Sequence, residues 1–196
     1  AGRFFCALNA RSGRLRLQFK PYISVYSSPA VKDGTVYFCT AEGVLYAVDG
    51  TETNRPLEHR MWPYWLQTWA LGLAPKPPPQ SGFLWRQELG KTARSSPAVV
   101  DETLYVGVDN GLVAVDLVTH EILWKFETED RVNSSPAFAA AAVYIGSEDG
   151  RLYAVDSATG QGLWQFAANG KITSSPAVAE GTVFIGSHDG NVYAIK

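Results

Sequence analysis

The tetrapeptide Ser-Ser-Pro-Ala occurs four times along this chain, opening at Ser27, Ser95, Ser134 and Ser174. The last three copies stand 39 and 40 residues apart. A fixed period of that size marks an array in which each supersecondary unit must stack on its neighbours to bury its faces. The first interval is 68 residues, about 28 more than the period, so one repeat carries an insertion.

The copy from 133 to 166 shows what the unit is. Ser134-Ser135-Pro136-Ala137-Phe138 opens a first strand, with the proline at its entry, where no ladder donor is lost. Ala142 to Gly146 is β-branched and aromatic and reads as the second strand. Asp149-Gly150 then supplies residues that tolerate the positive φ of a tight hairpin. Arg151 to Val155 is the third strand, Asp156 to Gly160 a turn rich in side-chain acceptors, and Gln161 to Phe166 the fourth. The copies at 95–126 and 27–86 keep this order, and Trp85, Trp124 and Trp164 repeat at 39 and 40 residues. Each tryptophan is expected to be buried between its own blade and the next. The expected fold is all-β: one domain over 1–196, a β-propeller of four-stranded antiparallel blades, four per chain, either self-closed or half of an eight-blade ring. Residues 51–81 are the insertion, between the third and fourth strands of one blade.

The two ends bear on closure. The last copy reaches Lys196 without a fourth strand, while Ala7 to Phe19 aligns with Ala154 to Phe166, Leu17 taking the tryptophan place. Both ends together could complete one blade and remove an exposed edge. One strand is then duplicated, because Arg3 to Leu8 matches the third strand already supplied by Asn191 to Ile195. Three readings follow: the duplicate is displaced, the chain is an excerpt of a longer array, or two chains form a homodimer completing an eight-blade ring, with residues 14–19 of one beside 191–196 of the other.

Charged residues make up 18% of the chain and the formal net charge is −2, so the basic field that phosphate neutralisation needs is missing and nucleic acid is not an expected partner. Cys6 and Cys39 lie in apolar strand-like runs without CxxC spacing and read as small core hydrophobes. No apolar run approaches the roughly 18 residues of a membrane span. The sequence opens on Ala1 rather than a methionine, as a processed or excised chain would, so the lack of a leader is silent about compartment.

The blade resembles the repeat of the pyrroloquinoline-quinone (PQQ)-like β-propeller superfamily, whose tryptophan-docking motif is Ala-x-Asp-x-x-Thr-Gly-x-x-x-Trp. Here it runs from Ala154-Val155-Asp156 through Thr159-Gly160 to Trp164. A second version runs from Ala114-Val115-Asp116 through Thr119 to Trp124, with His120 for Gly. The N-terminal version has Asn9 for Asp, Ser12 for Thr and Leu17 for Trp. Everything except 51–81 fits. The resemblance implies a propeller found in quinoprotein dehydrogenases, in a lipoprotein of the outer-membrane barrel assembly machinery, and in sensor or scaffold regions, and it favours a periplasmic or other extracytoplasmic location.

A dehydrogenase of that superfamily would use an Asp base, Ca²⁺ held by Glu, Asn and Asp, and two adjacent cysteines beside the quinone. This chain has no Cys-Cys pair, and Asp109, Glu148, Asp149, Asp156 and Asp189 all fall at turns, where local hydrogen bonding explains them. His59, His120 and His188 share no spacing, and no metal is expected. The paired serines have no base in register and read as strand-entry hydrogen bonders. The expected function is a non-catalytic scaffold or ligand-sensing module with no cofactor, contacting a protein partner or domains of a parent chain. The alternatives are a fragment of a PQQ- and Ca-dependent dehydrogenase or a propeller like the outer-membrane assembly lipoprotein.

Two surfaces are candidates for contact. Tyr26, Arg94, Asn133 and Thr173 each precede a Ser-Ser pair, vary while their flanks repeat, and by the resemblance lie near the axis. The insertion adds Trp62, Tyr64, Trp65 and Trp69, with a short helix expected over 64–71 that sets Trp65, Thr68 and Trp69 on one side, followed by a stiff proline run.

Overall fold

The structure, a computed structural model, describes residues 4–21 and 23–196. It opens with a hairpin of β1 (Phe5–Leu8) and β2 (Leu15–Phe19). The first blade follows, with β3 (Ala30–Lys32), β4 (Thr35–Cys39), β5 (Val44–Asp49) and β6 (Phe83–Glu88) in that order across the sheet. The second blade has β7 (Ala98–Val100), β8 (Thr103–Val108), β9 (Gly111–Asp116) and β10 (Ile122–Glu127). The third has β11 (Ala137–Ala139), β12 (Ala142–Gly146), β13 (Arg151–Asp156) and β14 (Gly162–Ala167). The fourth is three-stranded: β15 (Ala177–Ala179), β16 (Thr182–Gly186) and β17 (Val192–Ile195). The chain is thus a β-propeller of antiparallel blades, as its periodicity requires.

Each complete blade carries the same irregularity. The ladder between its third and fourth strands slips once, beside Ala47, Ala114 or Ala154, at the residue paired with a tryptophan. The opening hairpin slips beside Ala7, which pairs with Leu17. That register identifies β1 and β2 as the outer half of a blade, with Leu17 in the tryptophan place. Arg3, included in the expected duplicate strand, lies outside the described residues.

The core lies between blades. One cluster joins Cys39 and Ala47 of the first blade to Val106 and Val115 of the second, a second joins Tyr105 and Leu112 to Val143 and Val155, and a third joins Leu152 and Ile172 to Ile185. A fourth sets Leu17 and Phe19 of the hairpin against Phe38 and Tyr46. Burying apolar surface on both sides of a twisted blade is what drives such stacking. Each interface links consecutive units, and β17 carries an exposed Val192 on its outer side.

The insertion leaves β5, forms α1 (Glu58–Ala70) and returns through a proline run to β6. The helix begins six residues before the expected start. Pro63 suggests a first turn at that point, yet the helix passes through it. Its beginning is fixed from outside: the buried Glu58 carboxylate accepts from Ser81 N at 2.6 Å, Asn54 Nδ2 at 3.1 Å and Arg55 N at 3.3 Å. No helix among the described residues is long and apolar enough to cross a membrane.

The insertion also covers the outer edge of β2. Asn54 accepts from Gln18 N and donates to Gln18 O, Gln80 accepts from Lys20 N and donates to Lys20 O, and Arg16 donates to Thr51 O. Two side-chain amides thereby occupy the backbone groups that a further strand would take. The expected dimer contact, with residues 14–19 beside 191–196 of a second copy, needs a free edge on β2. Here β1 holds one edge and the insertion the other.

Candidate functional site

Each Ser-Ser pair does two jobs. The first serine pins the entry loop to the second strand of its own blade. Ser134 Oγ donates to Gly146 O at 2.7 Å and accepts from Gly146 N at 2.8 Å, Ser174 does the same with Gly186, and Ser27 with Cys39. Ser95 accepts from Gly107 N at 3.0 Å. The second serine ties blades together: Ser28 N donates to Ser96 Oγ at 2.8 Å, Ser96 N to Ser135 Oγ at 3.0 Å and Ser135 N to Ser175 Oγ at 2.9 Å. Fully paired polar groups of this kind rigidify what they hold.

On that frame sit the four residues that precede the serines. Tyr26 is 57% exposed and the Arg94 guanidinium lies over its ring at 5.9 Å. Asn133 donates to Glu148 Oε1, whose other oxygen accepts from Lys171 at 2.6 Å. Thr173 Oγ1 is 2.7 Å from His188 Nε2. One side chain per blade is therefore presented from a pinned loop, and the row changes character from aromatic and cationic to neutral polar.

The turn carboxylates are occupied by the scaffold. Asp109 accepts from Lys91 N and Thr92 N of the preceding connection; burial pushes its carboxyl up, but those bonds outweigh it and hold it below the ordinary range. Asp189 is held low by Tyr193 OH at 2.7 Å. Asp149 accepts a hydrogen bond from Tyr153 OH at 2.7 Å. Asp156 is held low by the Thr159 hydroxyl and by Thr159 N and Ala158 N. Among the described residues no three His, Cys, Asp or Glu side chains gather as metal ligands would.

The docking positions follow one rule: the fourth-strand residue packs on the left-handed residue of the next blade's turn. Leu17 meets Gly82 (φ +79), Trp85 stacks on His120 (φ 62) at 4.4 Å, and Trp124 lies on Gly160 (φ +73). Trp124 Nε1 donates to Ser157 O at 3.1 Å. Trp164 departs from the expectation. It is 40% exposed, because the turn that would receive it lies past β17. Trp85 and Trp124 are half-buried rather than enclosed.

In the insertion the helix turns Trp62, Leu66 and Trp69 toward a cavity of about 490 Å³, whose far wall is Phe19, Tyr46 and Phe83. Trp65 is on another side, its Nε1 bonded to Pro75 O at 2.9 Å, and Tyr64 is exposed. The expected grouping of Trp65, Thr68 and Trp69 is thus replaced by Trp62 with Trp69. The cavity was invisible in the sequence because its walls come from β2, β5, β6 and the insertion.

The family model described as outer membrane protein assembly factor BamB matches residues 78–196. None of the curated proteins matches significantly. Among solved structures, BamB from Moraxella catarrhalis superposes with a TM-score of 0.70 at 20% identity, over 98% of this chain and 51% of that one. The computationally designed Ika8 protein gives 0.69 at 14% identity, over 96% and 51%, and the designed Ika4 protein 0.66 at 15% identity, over 88% and 90%. This chain therefore spans about half the length of the BamB and Ika8 structures.

Proposed function

Because the chain belongs to the BamB-type family of PQQ-like β-propellers, we propose that it is a non-catalytic scaffold of the assembly type, working outside the cytoplasm and holding a protein partner at the end of the blades that carries Tyr26, Arg94, Asn133 and Thr173. The observation that carries this reading is the doubly pinned serine frame, which presents four different side chains at fixed blade spacing. Recognition needs such variable chemistry on rigid elements. The recurring carboxylates, which a quinone and calcium site would have to recruit, are already engaged with backbone N–H and hydroxyl groups. The BamB description suggests the finer reading, a part in outer-membrane protein assembly. A homodimer closing an eight-blade ring would need to displace β1 from β2, so protein partners or further blades of a longer chain fit the edges better.

Two measurements test the proposal. A photo-crosslinker at Arg94 should capture a discrete partner that the same group at Glu180, at the other end of β15, does not; equal capture from both positions overturns the site. PQQ with Ca²⁺ should leave the melting temperature unchanged, since a ligand of the native state must raise it. A saturable rise would replace the scaffold reading with the dehydrogenase one.

A further inference from the structure

The cavity beneath α1 has properties that neither blade packing nor partner binding at the serine end requires. Its walls are aromatic, with Phe19 stacked on Phe83 at 6.3 Å between ring centres and set edge-on to Tyr46 at 5.8 Å, and Trp62 and Trp69 facing them from the helix. Pro77, Pro78 and Pro79 form a third side. At about 490 Å³ it lies in the roughly 300–1,000 Å³ range of small-molecule pockets.

Its polar lining is one-sided. Lys20, Lys76 and Arg86 line the cavity and no carboxylate does. None of these three takes part in the ion pairs formed among the described residues. Trp62 Nε1 is buried with no hydrogen-bond partner, and so is His59 Nε2, which lines an adjoining cavity of about 120 Å³ sharing Lys20, Trp62, Leu66 and Gln80; Glu58 also lines that smaller cavity, with its carboxylate committed to Ser81, Asn54 and Arg55. A buried donor left unpaired is destabilising, because it has given up water without gaining a partner. The unpaired indole donor, with an unpaired imidazole nitrogen close by, stands beside an apolar, cation-lined space and calls for an acceptor that the chain does not supply.

We propose that this cavity binds a small amphiphilic anion, a carboxylate on an apolar body such as a medium-chain fatty acid. The carboxylate accepts from Trp62 Nε1 and pairs with the surrounding cations. The chain lies along the aromatic and proline walls. Gln80 is committed to the Lys20 backbone and holds the two sides of the cavity in register. The inference is independent of the scaffold reading and survives its failure.

The test is titration of the full chain with laurate below its micelle threshold, followed by calorimetry and by tryptophan emission, since Trp62 and Trp69 are in the wall. One-to-one binding is expected, with dodecanol and acetate each binding at least about tenfold more weakly, a difference of about 1.4 kcal/mol. Trp62→Phe, which keeps the ring and removes the donor, and Lys76→Gln, at an exposed position, should each weaken laurate several-fold without changing the circular dichroism spectrum. Dodecanol binding as tightly as laurate, several laurates per chain, or unchanged affinity in both variants would each overturn the proposal.

Discussion

The indole of Trp124 reaches across a blade boundary to the carbonyl oxygen of Ser157, 3.1 Å away, while its ring covers the Cα of Gly160 so closely that an added Cβ would lie 2.6 Å from it. Trp164 occupies the same place in the next repeat without such a receptor. Trp124→Ala should therefore cost about 2–4 kcal/mol, near the range for large aromatic truncations, and Trp164→Ala less than about 1.5 kcal/mol. Denaturant midpoints of the two variants check this; equal losses would mean that Trp164 is docked.

Gly146 and Ile172 share one site. A Cβ on Gly146 would lie 2.1 Å from Ile172 Cγ2, and Gly107 stands in the same relation to Val132. The first blade solves this differently, with Cys39 in the glycine place and Ala93 in the place of the large residue. Gly146→Ala should destabilise by about 1–3 kcal/mol through overpacking. Adding Ile172→Ala should recover part of that loss, so that the double variant is more stable than the sum of the singles predicts. Additive losses in thermal or urea unfolding would rule out the volume exchange.

Glu58 ties the helix to the blade electrostatically. Burial pushes its carboxyl up, but hydrogen bonds from Ser81, Asn54 and Arg55 outweigh that and leave it below the ordinary range. A depressed folded pKa gives stabilisation that is complete above the unfolded value, about 4.3, and lost as pH falls through the folded value. Glu58→Gln should lower stability at pH 7 by about 1–2 kcal/mol and by little at pH 3. Melting temperatures of both proteins from pH 3 to 7 should converge at the acid end; parallel curves would show that the charge is not what matters.

The two thiols should behave differently. Cys39 is buried, and burial pushes its pKa up to about 12, whereas Cys6 is exposed on the opening hairpin. The thiolate is the reactive form. At pH 8 a thiol reagent should modify Cys6 rapidly and Cys39 only at the rate of unfolding, counted as one label before denaturant and two after.

The blade was readable because its signals are local. Pro29, Pro97, Pro136 and Pro176 mark strand entries, Asp-Gly marks hairpins, and the tryptophan spacing sets the register. What escaped depends on residues distant in the chain. Glu58 starts α1 through Ser81, 23 positions later, as well as through Asn54 and Arg55, and Leu57 before it is left-handed and without a capping side chain, so the usual N-cap signal is missing at the start. The exposure of Trp164 depends on the turn of the next unit rather than on its own motif. The polar cover of β2 joins Asn54 and Gln80 to Gln18 and Lys20, pairs 36 and 60 residues apart, and the cavity beside it is assembled from the same remote partners.

The inter-blade serine bonds all point one way, with each N–H donating to the hydroxyl ahead of it from Ser28 to Ser96, Ser135 and Ser175. A row of identical motifs thereby acquires a head and a tail. A module joining before the first blade must bring an N–H to Ser28, and one joining after the fourth must bring an acceptor to Ser175. A blade offered in reverse sets backbone N–H against backbone N–H at one junction, so the hydroxyls act as a one-way thread that favours units facing the same direction around the axis.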